Sequence, residues 1–203
     1  MNKDNLEHII RAACAITNEY EVIIVGSQSI LGSIDYPPEE CCKSKEADII
    51  IPGNERLSDI IDGAMGEGSP FEDAFGYYAQ GVDSSTCTLP LGWRDRLIRI
   101  QSNNTNGSIG YCLDLIDLFL SKCFANREKD VDFNKTLLYN GLLSTPELYK
   151  RLELMPVDDQ SKSRMKIFID RHTLSMPSNK INRIRKLAKI TERKTINSIF
   201  KNS

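Results

Sequence analysis

Two short runs in this chain could do chemistry. Val25-Gly26-Ser27 ends the apolar stretch Glu21-Val-Ile-Ile-Val25 and opens a segment of helical character. A glycine at that point lets the backbone approach a ligand, and a helix start with a serine hydroxyl offers hydrogen-bond donors suited to phosphate. Glu46-Ala47-Asp48 begins a second apolar run that continues to Ile51. Side chains alternate along a strand, so Glu46 and Asp48 share one face about 7 Å apart while Ala47 takes the other. Two carboxylates at that spacing suit a shared divalent cation. Mg2+, or Mn2+ in its place, favours a few carboxylate oxygens together with substrate phosphates.

Other chemistries find less support. His8 and His172 are the two histidines, and neither has a cysteine or second histidine at ligand spacing, which argues against a Cys/His zinc site and against histidine-based nucleophilic catalysis. The six cysteines form no CxxC pair and are sparse for 203 residues, so reduced thiols in a cytoplasm are expected. The opening Met-Asn-Lys-Asp-Asn-Leu-Glu-His is too polar for a signal peptide, and no apolar run approaches the roughly 20 residues of a membrane span. There is no G-x-x-x-x-G-K-[ST] phosphate loop. Gly66-Glu-Gly68 lacks the third glycine of a dinucleotide-binding turn.

The elements that must position these residues follow from periodicity. Asn5–Thr17 reads as a helix with Leu6, Ile9, Ile10, Ala13 and Cys14 on one face. Glu21–Val25 and Glu46–Ile51 read as buried strands, with a helical turn over Gln28–Leu31 between them and a helix around Leu57, Ile60 and Ile61 after them. Further strands are expected over Thr86–Leu89 and Arg96–Ile100, whereas Gly63–Gly81 is too irregular to assign and Asn103–Gly107 is a loop. From Leu113 onward every segment is helical: Leu113–Ala125, Val131–Tyr139, Pro146–Leu154, Ser161–Thr173 and Ile181–Phe200. The fold class is therefore α/β or α+β, a small mixed sheet flanked by helices over residues 1–140, followed by a helical C-terminal region over 141–203.

Charge divides along the same line. Residues 1–125 carry 9 Lys and Arg against 19 Asp and Glu, and residues 126–203 carry 17 against 9, under a net charge of −2. Within the last stretch Arg183, Lys186, Lys189, Arg193 and Lys194 fall between apolar positions of a helical pattern, leaving a basic face for a polyanion such as RNA.

The order of motifs resembles the nucleotidyltransferase superfamily with the DNA polymerase beta-like fold: hydrophobic strand, Gly-Ser, then a strand carrying acid-x-acid. Downstream, Asp117-Leu-Phe-Leu-Ser-Lys122 followed by Arg127-Glu-Lys-Asp130-Val-Asp132 is similar to a run found in bacterial minimal nucleotidyltransferases, including abortive-infection toxins of the AbiE type. Gly66–Phe71, Phe75–Tyr78 and Leu89–Trp93 resemble an uncharacterised nucleotidyltransferase-like bacterial family, and the likeness spans about residues 5–140. The resemblance implies transfer of a nucleoside monophosphate from an NTP to an acceptor. Glu46 and Asp48 would hold the metal, Gly26, Ser27, Lys122 and Arg127 would bind the nucleotide, and Glu46, Asp48, Lys122 and Asp130 would be catalytic. RNA or tRNA is the acceptor it suggests, with a toxin role beside a cognate antitoxin as one setting. The first acid is Glu where Asp is commoner, and the strand Arg96–Ile100 presents arginines where a third acid is usual, leaving Asp130 or Asp132 to complete the site. A catalytically lapsed relative that only binds nucleotide or a partner, and an RNA-binding module, are the rival expectations.

Overall fold

Among the described residues, five strands form one mixed sheet around a central strand that is apolar on both sides. In a computed structural model, which describes residues 1–174, β1 (Glu21–Val25) is buried from Val22 to Val25, the continuous apolar run expected of a strand covered on both faces. The sheet order is β3-β2-β1-β5-β4, with β2 at Glu46–Ile50, β3 at Tyr78–Gly81, β4 at Ile98–Ile100 and β5 at Ile109–Cys112. β1 runs antiparallel to β2 with Val25 opposite Asp48, and parallel to β5 with Ile24 opposite Cys112. β3 extends the sheet parallel to β2, and β4 closes the other edge antiparallel to β5.

Among the described residues, eight α-helices accompany the sheet. The first four are α1 (Lys3–Thr17), α2 (Ile30–Ser33), α3 (Ser58–Met65) and α4 (Pro70–Phe75). They are followed by α5 (Leu115–Ala125), α6 (Glu128–Tyr139), α7 (Thr145–Leu152) and α8 (Asp159–Leu174). Asn2 and Asn5 form a reciprocal capping box that starts α1, and Asn18 in a left-handed conformation ends it. One sheet face carries Ala47 and Ile49, both wholly buried. There α1 lies so close over β5 that a Cβ on Gly110 would come within 2.3 Å of Ile10. The opposite face carries Glu46 and Asp48, flanked in register by Tyr78 and Gln80 of β3. Helices α7 and α8 contribute Leu148, Leu152, Met165 and Ile169 to the same buried cluster as the sheet.

A polar joint ties the middle of the chain to the later helices. Asp117 on α5 is wholly buried and accepts from Arg96 Nε at 2.9 Å and from Arg151 Nη1 at 2.9 Å. Arg96 also donates to the carbonyls of Pro90 and Leu91, and Arg151 to Asp114.

Three element assignments change. Thr86–Leu89 is a loop, not a strand, held by the Asp83 carboxylate accepting from the Ser85 amide and hydroxyl. Arg96 belongs to a 3-10 turn over Trp93–Arg96, so β4 starts later than expected. β5 was not expected, because Gly110 reads as a strand breaker until the helix that needs its missing side chain is in place. Among the described residues no helix is long and apolar enough to cross a membrane, and all six cysteines are free thiols.

Candidate active site

Gly26 ends β1 at φ 69°, and a Cβ there would lie 1.9 Å from Asp48 Oδ2. The Asp48 carboxylate thus rests on the bare Cα of Gly26, a contact only glycine permits. The chain then tightens into a 3-10 turn over Ser27–Ser29, fixed by the Ser29 hydroxyl donating 2.6 Å to the Ile24 carbonyl. Ser27 itself faces a cleft of about 1440 Å³ together with Gly26, Glu46 and Asp48. Both expected motifs therefore meet at one end of the β1–β2 pair.

Electrostatics put the Asp48 carboxylate under pressure. Burial pushes its carboxyl up to about 7, and hydrogen bonding and charge from Glu46 act in the same direction, partly offset by Lys122 and Lys129. Tyr78 Oη lies 3.5 Å from Glu46 Oε2, as donor. Burial and then the Glu46 charge push that phenol up to about 12. Cys41 and Cys87 also line the cleft, yet burial raises their thiols to about 12 and about 11. Both stay protonated at neutral pH and are poor nucleophiles.

A second layer comes from α5 and α6. Lys122 has a side chain 7% exposed, donates 2.7 Å to Asp130 Oδ1, and sits 4.8 Å from the centre of the Phe133 ring. Arg127 Nε donates 2.6 Å to the other oxygen of the same carboxylate. Lys122 and Arg127 both line the cleft. Asp130 does not: it is wholly buried, and against the opposing effect of burial the bonds from Arg127 and Lys122 hold its carboxyl below the ordinary range. Its position is that of a counter-ion holding two cations, set behind the cleft lining. Asp132, one of the two residues considered for completing a metal site, does face the cleft, with a side chain 74% exposed.

The neighbour of Asp48 on β3 is Gln80, so the adjoining strand presents an amide where another acid would extend the pair. Among the described residues no cluster of three or more His, Cys, Asp or Glu is placed to hold a metal. Two further acids of the cleft, Glu40 and Asp83, escaped the sequence reading. Glu40 lies in a single 3-10 turn over Glu39–Cys41 and Asp83 in a loop, both too short for a periodicity that would signal which way a side chain points.

A protein-family profile matches residues 4–187, and that family is described as nucleotidyltransferase of unknown function (DUF6036). The chain belongs to this family. No curated protein and no solved structure matches the chain. The matched span takes in α7 and α8 as well as the sheet. Neither histidine lines the cleft. His8 packs among Phe71, Phe75 and Tyr77 with its Nδ1 2.7 Å from Tyr77 Oη, and His172 Nδ1 is 2.8 Å from Tyr139 Oη. The basic residues Arg183, Lys186, Lys189, Arg193 and Lys194, and the helix expected over 181–200, lie outside the described residues.

Proposed function

We propose that this family member transfers a nucleoside monophosphate from an NTP to a hydroxyl of an RNA acceptor. The observation that carries the reading is the seating of the Asp48 carboxylate on Gly26, beside Ser27 and on the same strand face as Glu46. Glu46 and Asp48 are a fitting donor set for Mg2+ or Mn2+: two hard oxygen donors opening onto a cleft with room for a triphosphate to supply the rest. Bound there, the cation would polarise the reacting phosphate and neutralise charge on the triphosphate.

The chain's own groups account for the remaining steps. Gly26 and Ser27 bring backbone and hydroxyl donors to the phosphates. Lys122 and Arg127, aimed by Asp130, face the charge that grows on the departing pyrophosphate, and such fixed donors act without reorganising during the reaction. The acceptor oxygen forms a bond to the α-phosphorus, the bond from that phosphorus to the bridging oxygen breaks, pyrophosphate leaves, and the hydroxyl proton is released to water.

Incubation with each labelled NTP, Mg2+ or Mn2+, and total RNA tests the reading. Label on RNA with stoichiometric pyrophosphate is expected, and Asp48→Asn should abolish both while leaving the fold intact. Transfer undiminished in Asp48→Asn overturns the role of Asp48. A second reading, a relative that binds NTP without transferring it, is favoured by Gln80 in the position beside Asp48. Metal-dependent NTP binding with no pyrophosphate release selects it. A toxin restrained by an antitoxin is one setting for RNA modification, tested by growth arrest on expression that Asp48→Asn relieves.

A further inference from the structure

The cleft is larger than one nucleotide requires, and its second wall differs in chemistry from the first. Small-molecule sites occupy about 300–1,000 Å³, against about 1440 Å³ here. The sheet side holds the carboxylates. The opposite wall is α6, whose Lys129, Phe133, Thr136 and Tyr139 recur at helical spacing and line the cleft, with Lys135 beside them. Lys129 is exposed, the Arg127 side chain is 62% exposed and that of Lys135 35%. The one acid of α6 that lines the cleft, Asp132, lies 3.7 Å from Lys135, and against Arg127, Lys129 and Lys135 it leaves the wall with a net positive charge.

At the end of this wall Tyr139 is braced from behind. Its hydroxyl meets His172 Nδ1 at 2.8 Å, and the two rings stand 5.8 Å apart edge to face. From Lys129 to Tyr139 the helix rises about 15 Å. A row of cations ending on a fixed aromatic ring is the arrangement by which proteins hold single-stranded nucleic acid, cations on the phosphates and the ring under a base. We infer that the α6 wall is the acceptor subsite, binding the end of a single-stranded nucleic acid through Lys129, Lys135 and Tyr139. This rests on the transfer reading above and gives its acceptor a location.

The test uses the full chain, a labelled twelve-nucleotide single-stranded RNA followed by fluorescence anisotropy from 50 to 200 mM salt, and a fluorescent NTP analogue with Mg2+ titrated separately. The double variant Lys129→Ala/Lys135→Ala should bind NTP like wild type while its log–log salt slope for RNA shrinks by about 1.4, at about 0.7 per phosphate contact. Wild type should accordingly lose about sevenfold more affinity than the variant across that range. Tyr139→Leu should weaken RNA binding by at least about fivefold with the slope unchanged, because stacking releases no counterions. An unaltered RNA affinity and slope in the double variant overturns the inference, as does loss of NTP binding in that variant, which would assign the lysines to the triphosphate. A polyglutamate peptide competing as well as RNA would make the wall a dock for acidic protein and also overturn it. Absence of NTP binding by wild type instead defeats the transfer reading itself.

Discussion

Asp48→Asn should make the protein more stable at neutral pH, not less. In the unfolded chain this carboxyl titrates near its ordinary 3.8; in the fold, burial and the neighbouring Glu46 raise it to about 7. Between those values the folded state keeps a proton that the unfolded state releases, so stability falls as pH rises through the window and levels off above 7. At 1.36 kcal/mol per unit, the full effect on the plateau is about 4 kcal/mol. An asparagine recovers roughly half, since its amide still loses water on burial, leaving an expected gain of about 2 kcal/mol at pH 8. Urea unfolding of both proteins in EDTA at pH 4, 6 and 8 measures it, with equal m-values required for the comparison. Because the amide cost does not depend on pH, Asp48→Asn should be about 2 kcal/mol less stable than wild type at pH 4, and the difference should change sign before pH 8. Adding Mg2+ at ten times its dissociation constant should then return about 1.4 kcal/mol to wild type alone. If Asp48→Asn is no more stable at pH 8, or if the gap is independent of pH, the argument that this carboxylate is held under electrostatic pressure fails.

Other outcomes follow from the same geometry. Gly26→Ala must both hold a positive φ and displace the Asp48 carboxylate, so a loss of about 2–4 kcal/mol in urea unfolding is expected, together with the stabilisation by Mg2+. Asp130→Ala strands Lys122 in a buried site and should cost about 3–5 kcal/mol, read as a fall in the urea midpoint; Lys122→Met/Asp130→Leu should recover most of it. Burial, and secondarily Arg11, depress the His8 imidazole, so its contribution to stability is present above the ordinary 6.5 and is lost as pH falls below it. His8→Gln should flatten that part of the profile between pH 5 and 7.5.

Legibility in the sequence followed the range of the interactions. β1 and β2 were readable because an apolar run and a two-residue alternation are local facts, and the same alternation placed Glu46 and Asp48 on one face. Gln80, by contrast, becomes the neighbour of Asp48 only when β3 pairs with β2, across an intervening stretch whose glycines and aromatics hide any period. Thr86–Leu89 alternates like a strand, yet no partner strand reaches it. Lys122 and Arg127 stood out through the likeness of their run to a known motif, but the geometry that turns Asp130 inward beneath both depends on how α6 folds back on α5. Whether a carboxylate meets substrate or a neighbouring lysine is settled by that packing and leaves no mark in spacing.

The joint at Asp117 bears on how this chain can be divided. One buried carboxylate receives guanidinium groups from two directions, Arg96 from the segment that runs on from the cleft's loop wall and Arg151 from α7. Cutting the chain near residue 140 would remove one of those arms and strip the cover from apolar side chains that α7 and α8 now meet. The piece left behind would have a loosened wall and a sticky flank. Chimaeras that exchange C-terminal regions among family members should therefore be joined beyond residue 174, carrying the arginine on α7 with the sheet it secures. In engineering terms the later helices are a buttress, and the cleft stands only while they lean on it.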